Sequence, residues 1–230
     1  MTSFLTALRV LTVFRRPTAS TIEAEEIGKS VLFFPLIGFC LGVILILVNW
    51  LLDPYLASEI VSVLLVALLI LLTRALPLEA LKTCFDEFET TGGTAKISGL
   101  LAILMVVALK FRAIEVMGDT RTEGLLLAPM LGRWAMVILG YGSESAGKRL
   151  GQGIVEQVRG THLLLATAFA LLLVTVFAGR LGLWIALWIS LLTLLSRGCF
   201  RRCAEGITAD HLGTVGEISE TLALVLFASL

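Results

Sequence analysis

Long apolar segments follow one another along this 230-residue chain and are separated by short polar stretches. Each segment is continuous and rich in Leu, without the alternation of polar and apolar residues that a membrane β-strand shows. A membrane-spanning helix needs about 20 apolar residues. The segments that approach this length are 31–52, 60–76, 99–117, 125–141, 163–178, 181–195 and 218–230. The pattern predicts an all-α, polytopic membrane bundle with six or seven spanning helices.

The first 16 residues have a helical pattern of their own. Their apolar side chains share one face of a helix that Pro17 would end; they are Phe4, Leu5, Leu8 and Leu11. No small-residue cleavage site follows, so the segment is not typical of a signal peptide. We predict an amphipathic helix that lies at the membrane interface.

Composition agrees with a membrane protein. Hydrophobic residues make up 57% of the chain and the mean hydropathy is +0.96, whereas a soluble domain is about 45–50% apolar. No linker or repeat divides the chain, so residues 1–230 are predicted to form one membrane-embedded domain that contacts the lipid bilayer. The 18 basic and 18 acidic residues balance, so no basic field indicates nucleic-acid binding.

Lys and Arg gather in alternate polar stretches, before the first apolar segment and after the second, fourth and sixth. Cytoplasmic loops carry the excess of positive charge in membrane proteins. The chain is therefore predicted to lie in the cytoplasmic (inner) membrane with its N-terminus and these stretches facing the cytoplasm. Three polar segments, 77–97, 142–161 and 197–220, would then share one face and form a common pocket.

One polar segment, 79–89 (EALKTCFDEFE), is rich in carboxylates. On a helix, Glu79, Thr83 and Asp86 project from one face. Oxygen ligands on one face, completed by waters, are how proteins usually hold Mg²⁺ for a phosphate-bearing substrate. The alternative is an interfacial helix in which Lys82 forms ordinary ion pairs with Glu79 and Asp86. Spacing leaves both interpretations open.

Other charged residues lie in or beside apolar segments. Asp210 is followed by Glu217 and Glu220 where the last segment begins, and a functional role and the preference of acids for helix starts explain them equally well. Arg133 lies inside the fourth segment. Its guanidinium must face a polar interior or an anion, or reach the interface.

Several stretches together resemble the adenosylcobinamide-GDP ribazoletransferase family, also called cobalamin 5′-phosphate synthases. The matching stretches are FFPLIGFCLG (33–42), GLLAILMVVALK (99–110), GRWAMVILGY (132–141), LLLATAFALLL (163–173) and GITADHLGTVGEISE (206–220). The resemblance implies a Mg²⁺-dependent membrane enzyme of cobalamin biosynthesis. Its substrates would be adenosylcobinamide-GDP and α-ribazole or its 5′-phosphate, joined by phosphoryl transfer with release of GMP.

The resemblance also implies roles for residues. Glu79, Thr83 and Asp86 stand at the three Asp positions of the family's acidic motif, which makes them the implied metal ligands. Asp86 and Asp210 are the implied catalytic acids.

Two cations, Lys82 and Arg133, are the candidates for binding the substrate phosphates.

Because two Asp positions of the motif are replaced, a second hypothesis is a member that binds a corrinoid intermediate, or scaffolds other late enzymes of the pathway, without catalysis. A third is a small transporter with Gly- and Pro-interrupted helices, although the two halves of the chain show no repeated pattern.

Overall fold

The computed structural model describes residues 2–12, 28–88, 97–143, 158–203 and 206–230. Within these ranges the chain forms eight α-helices and no β-sheet, which confirms the predicted all-α bundle. The helices are α1 (Thr2–Leu11), α2 (Phe34–Leu52, entered through a 3-10 turn at Val31–Phe33), α3 (Ser58–Leu72), α4 (Leu76–Phe88), α5 (Ser98–Val116), α6 (Arg121–Gly140), α7 (Gly160–Cys203) and α8 (Ala209–Ser229).

Helix α6 lies at the centre of the bundle. It packs against α2, α7 and α8, and 83% of its apolar window is buried inside the protein. A helix surrounded by protein can carry a charged side chain where a neighbouring helix supplies the partner. Arg133 on α6 is such a residue, with only 4% of its surface exposed.

Helices α2 and α6 touch at two glycines of α2. A methyl group at Gly38 would lie 2.6 Å from the Cα atom of Met130, and one at Gly42 would lie 2.8 Å from the Cα atom of Leu126. Glycines four residues apart let two membrane helices approach until their backbones meet. The α2–α6 contact therefore depends on the absence of side chains at these two positions.

Fewer helices qualify as membrane spans than the six or seven predicted. Among the described residues, four helices are long and apolar enough, namely Gly28–Leu52, Arg121–Gly140, Gly160–Arg201 and Ala209–Ser229. A fifth is added if Ser58–Leu72 and Leu76–Glu87, which meet at 83°, count as one broken span.

Two predicted spans fail for local reasons. Segment 60–76 is interrupted because Arg74 and Ala75 have positive φ angles of 56° and 55°, a backbone conformation that ends a helix. Segment 99–117 forms α5 at full length, 19 residues, but its C-terminal half carries three charged side chains. Those side chains are Lys110, Arg112 and Glu115.

Two other predicted spans, 163–178 and 181–195, both lie in α7. Gly179 has φ 53° and ψ −131°, which interrupts the helix. A methyl group at Gly182 would lie 2.7 Å from Cγ1 of Val174, although a straight helix separates residues eight apart by about 12 Å. The chain therefore folds back at Gly179 into two helical halves that correspond to the two predicted segments.

The last helix begins earlier than predicted. Segment 218–230 is the C-terminal part of α8, which starts at Ala209 and has 21 residues. Thr208 and His211 form a capping box: the Thr208 hydroxyl accepts from the His211 backbone N–H at 3.2 Å, and the His211 ring nitrogen Nδ1 accepts from the Thr208 N–H at 3.1 Å. Asp210, Glu217 and Glu220, which the sequence placed at the start of the last span, therefore lie inside this helix.

Helix α1 packs on the bundle through its apolar face. The Phe4 ring meets Phe33 edge-on at 5.9 Å between centroids, and Leu8 and Leu11 contact the hydrophobic core. Leu5 remains 44% exposed. The predicted amphipathic segment continues to residue 16, and residues 13–16 lie outside the described ranges.

Four buried charges join α5, α6 and α8. The Lys110 ammonium lies 2.6 Å from Oε1 of Glu217 and 2.5 Å from Oε1 of Glu220. Arg133 binds the other carboxylate oxygen of Glu220 and also donates to the Pro129 carbonyl at 3.2 Å. None of the four is more than 5% exposed. Two cations and two anions give a neutral buried cluster, which we call the buried quartet.

Replacing Gly42 with a large side chain should separate α2 from α6. We expect Gly42→Leu to lower the free energy of unfolding by about 1–3 kcal/mol because the added atoms overlap the α6 backbone. Val43→Leu, on the exposed side of the same helix, is the matched control and should have little effect. Denaturant titration in detergent measures both variants, and equal stability of the two would contradict the contact.

Removing Lys110 should leave Glu217 as a buried, unpaired carboxylate. We expect Lys110→Met to cost about 3–5 kcal/mol of unfolding free energy, and the double variant K110M/E217Q to cost less because the cluster is neutral again. Arg112→Gln breaks the exposed pair with Glu115 on the same helix and should cost at most about 1 kcal/mol. The same denaturant titration applies, and equal losses in K110M and R112Q would refute the buried quartet.

Candidate functional site

A cavity of about 300 Å³ lies where α1, α4, α6 and α8 meet, beside the break between α3 and α4. Most of its wall is apolar, with Leu76 and Met136 among the lining residues. Five charged residues also line it, namely Arg9, Arg74, Arg133, Asp210 and Glu217. An apolar cavity with a few convergent polar groups is the usual form of a small-molecule site.

Glycines of α8 bring the walls of this cavity together. A methyl group at Gly213 would lie 2.6 Å from Cβ of Ala80 on α4, and one at Gly132 on α6 would lie 2.6 Å from the carbonyl oxygen of Gly216. Helix α8 therefore runs close against both α4 and α6. This packing places Asp210 and Arg133, two of the predicted site residues, on the same cavity.

The buried quartet borders the cavity from inside the bundle. Arg133 and Glu217 belong both to the quartet and to the cavity wall. Their charges are already balanced, because Arg133 pairs with Glu220 and Glu217 pairs with Lys110. Glu217 and Glu220 therefore lie within α8 as partners of buried cations. Neither a functional role nor the preference of acids for helix starts fully accounts for them.

Asp86 ties α4 to the beginning of α5. Its Oδ2 accepts from the Lys82 ammonium at 2.7 Å, and its Oδ1 accepts from the Gly99 backbone N–H at 2.9 Å and from the Ser98 hydroxyl at 3.5 Å. A carboxylate at a helix N-terminus satisfies free N–H groups and interacts favourably with the helix dipole. Of the two ion pairs that the alternative interpretation gave to Lys82, the one with Asp86 is present, and the one with Glu79 is not found among the described residues.

Gly99 is the residue that makes this contact possible. A methyl group there would lie 2.6 Å from Oδ1 of Asp86 and 2.5 Å from the Lys82 carbonyl oxygen. Asp86 is 7% exposed, so its carboxylate is enclosed by α4, α5 and the Lys82 side chain. The close packing of Gly99 thus fixes the position of one predicted catalytic residue.

The other predicted residues of the acidic helix do not line the cavity. Glu79 is exposed, and the Thr83 hydroxyl donates to the Glu79 carbonyl at 3.0 Å. Glu79, Lys82, Thr83 and Asp86 are all absent from the cavity wall, to which α4 contributes Leu76, Pro77 and Ala80. The structure therefore divides the predicted site into a carboxylate group on α4 and a cavity that holds Arg133 and Asp210.

The donor chemistry of α4 suits Mg²⁺, which binds oxygen ligands and usually needs only one or two carboxylates besides water and substrate phosphates. Glu79, Thr83 and Asp86 are the residues that would hold the ion. Within the described ranges, no three His, Cys, Asp or Glu side chains gather closely enough to hold a metal by themselves. An ion at Asp86 would have to replace the Lys82 ammonium.

Contacts join described parts of the three polar segments. The Arg197 side chain donates to the Tyr141 carbonyl at 2.6 Å and Arg201 donates to the Gly142 carbonyl at 3.2 Å, which joins the ends of α6 and α7. The contact of Gly213 with Ala80 joins the other two segments. Of segment 142–161, residues 144–157 lie outside the described ranges.

Sequence reasoning missed three cations that matter to this site. The position of Lys110 in the apolar stretch GLLAILMVVALK could have indicated a buried ion pair, because an ionisable residue among membrane helices needs a partner. Arg9 and Arg74 carried no comparable signal. They reach the cavity only through the docking of α1 and through the break at 74–75.

Comparison with known proteins agrees with this architecture over almost the whole chain. A family model described as cobalamin-5-phosphate synthase matches residues 3–228. Similar curated proteins, each named adenosylcobinamide-GDP ribazoletransferase, come from Geotalea daltonii (29% identical, 99% of this chain and 97% of that protein), Syntrophobacter fumaroxidans (35%, 96% of each) and a Roseiflexus species (29%, 95% and 86%). No solved structure matches the chain. The chain belongs to the cobalamin-5-phosphate synthase family.

Proposed function

We propose that this protein is a membrane transferase that joins adenosylcobinamide-GDP to α-ribazole, or to its 5′-phosphate, with release of GMP. The observation that carries the proposal is the family match over residues 3–228. Relatives that bear this activity as their name align along nearly their whole length. The product is adenosylcobalamin or its phosphate, and the reaction belongs to a late stage of cobalamin biosynthesis.

The cavity offers groups that suit phosphoryl transfer. A ribazole hydroxyl attacks the phosphorus atom attached to cobinamide, a new P–O bond forms, and the bond to the GMP leaving group breaks. Catalysis of this kind consists mainly of positioning and of stabilising negative charge. Arg133 on the cavity wall is a candidate for contact with the phosphates, and Asp210 is a candidate base for the proton of the hydroxyl.

Magnesium is part of the proposal, with Glu79, Thr83 and Asp86 as its ligands. When bound, it would neutralise charge on the substrate phosphates. The protein's own contribution is to hold Asp86 between Lys82 and the N-terminus of α5. Lys82 then has two candidate roles, as the ion-pair partner of Asp86 before the metal binds and as a ligand of a substrate phosphate.

A second candidate function follows from the state of Asp86. Its carboxylate already accepts from Lys82 and Gly99, which favours a structural role for the acidic helix. The protein would then bind a corrinoid intermediate or organise other late enzymes of the pathway without turnover. Purified protein in lipid, supplied with both substrates with and without Mg²⁺, separates the two functions, because only the transferase forms product.

We also propose that the protein lies in the cytoplasmic membrane with the cavity end facing the cytoplasm. The supporting observation is charge: Arg9, Arg74, Arg197 and Arg201 all lie at or near this end, and positive residues favour the cytoplasmic side. Water-soluble nucleotide substrates would then reach the cavity from the cytoplasm.

Two substitutions on α4 distinguish a catalytic Asp86 from a structural one. Asp86→Asn should abolish product formation at saturating Mg²⁺, since it removes a carboxylate. Lys82→Met also breaks the 2.7 Å ion pair but keeps the carboxylate, so turnover should persist and half-saturation should need less Mg²⁺. Steady-state rates measured across a Mg²⁺ titration test both expectations.

The two variants lose the same ion pair, so each is the other's structural control. A wild-type rate in Asp86→Asn would remove Asp86 from the mechanism. Equal loss of activity in both variants would assign Asp86 to the connection between α4 and α5 alone. A raised KM for adenosylcobinamide-GDP in Lys82→Met would indicate that Lys82 contacts this substrate.

A further inference from the structure

Two arginines on the cavity wall, Arg9 and Arg74, are in ion-pair contact with no acidic side chain that the structure describes. Within the described ranges, Arg9 and Arg74 make no side-chain hydrogen bond and no ion pair, whereas Arg133 and Glu217 on the same wall are both paired. Asp210 makes no side-chain hydrogen bond or ion pair among those residues, although its charge acts on His211 and Cys84. Among the described lining residues, these three groups leave an excess of one positive charge.

The position of Arg74 costs backbone energy. Its φ of 56° and that of Ala75, 55°, lie in the left-handed region, where a residue with a side chain costs roughly 1–2 kcal/mol more than in a right-handed helix. Glycine adopts this conformation without penalty. The Ala75 N–H donates to the Ile70 carbonyl at 2.9 Å, as at helix ends that turn through left-handed residues, and from this turn Arg74 lines the cavity.

The chemistry of the pair identifies the kind of ligand. Guanidinium groups present planar, paired N–H donors that match phosphate oxygens. Binding sites for whole small molecules usually measure roughly 300–1,000 Å³, so a cavity of about 300 Å³ accommodates one phosphate-bearing part of a large molecule. The remainder of such a ligand would extend out of the cavity.

We propose that Arg9 and Arg74 form a clamp for the diphosphate of the nucleotide-bearing substrate. This inference rests on the proposed function and adds to it the residues that recognise the diphosphate. Arg9 comes from α1 and Arg74 from the break between α3 and α4, so binding the diphosphate would add a further connection between α1 and the bundle on which it already packs. Asp210, on the same wall, stays available to the attacking hydroxyl.

A phospholipid headgroup presents the same phosphate chemistry and is the other source to consider. Helix α1 is amphipathic and lies against the bundle at the end where the cavity is found. The experiment must therefore separate nucleotide binding from the retention of anionic lipid. Neutral lipid for the binding assay and lipid analysis of the purified variants achieve this separation.

The test uses the full chain in nanodiscs of phosphatidylcholine, with guanosine diphosphate as the probe and calorimetry as the readout. We expect Arg9→Gln and Arg74→Gly each to weaken guanosine diphosphate binding by about tenfold to a hundredfold, the usual effect of losing a charged hydrogen bond. Arg9→Lys should recover part of the loss. Arg112→Gln, an exposed residue outside the cavity, should bind like the wild type.

Kinetics and folding provide the remaining controls. The clamp variants should raise KM for adenosylcobinamide-GDP and leave KM for α-ribazole unchanged. Arg74→Gly should be at least as stable as the wild type, because glycine relieves the left-handed backbone. A loss of binding in this variant therefore reports the side chain and not the fold.

Wild-type affinity for guanosine diphosphate in both clamp variants would overturn the proposal. So would unchanged nucleotide binding combined with the loss of co-purified phosphatidylglycerol, which would assign the cavity to a lipid headgroup. If the wild type binds guanosine diphosphate through Arg9 and Arg74 but forms no product, the clamp stands and the proposed function fails. If the protein forms product but the variants bind guanosine diphosphate as the wild type does, the proposed function stands and the clamp fails.

Discussion

The buried quartet is the interaction on which the rest of the structure depends. A charge inside a bundle of membrane helices is costly unless an opposite charge lies in direct contact with it. Lys110, Arg133, Glu217 and Glu220 meet this condition only when α5, α6 and α8 have one particular rotation and height relative to one another. The close approach of α6 and α8 at Gly132 and Gly216 makes that arrangement possible.

The charged groups that line the cavity are of two kinds, those that belong to the buried quartet and those that lie outside it. Arg133 and Glu217 face the cavity from the quartet and are held by their partners. Arg9 and Arg74 line it from α1 and from the break after α3, and neither forms an ion pair with a residue in the described part of the chain. Asp86 lies apart, between α4 and α5. The arrangement suits a substrate that is large, extended and held at more than one point.

The apolar segments alone were enough to predict the all-α membrane bundle, because runs near 20 residues permit little else in lipid. The break at Arg74 and Ala75 could not be predicted, since neither residue type favours a positive φ. The pairing of Lys110 with Glu220 spans 110 positions in the chain, and no local pattern encodes it. For Asp86, spacing offered the Lys82 pair as one of two interpretations, but the contact with Gly99 requires the packing of α5 against α4.

The central position of α6 has a consequence for how the protein enters the membrane. The spans with the lowest hydropathy, α6 and α8 at 1.3, are 83% and 61% buried, whereas α7 at 2.2 is 17% buried. The two least apolar spans are thus the two most enclosed by protein, although Gly28–Leu52, the most apolar at 3.0, is more buried (44%) than α7. Since α8 follows α5 and α6 in the chain, Lys110 and Arg133 are synthesised before their carboxylate partners. Until α8 inserts, the growing bundle must hold two cations whose carboxylate partners, among the described residues, come from α8.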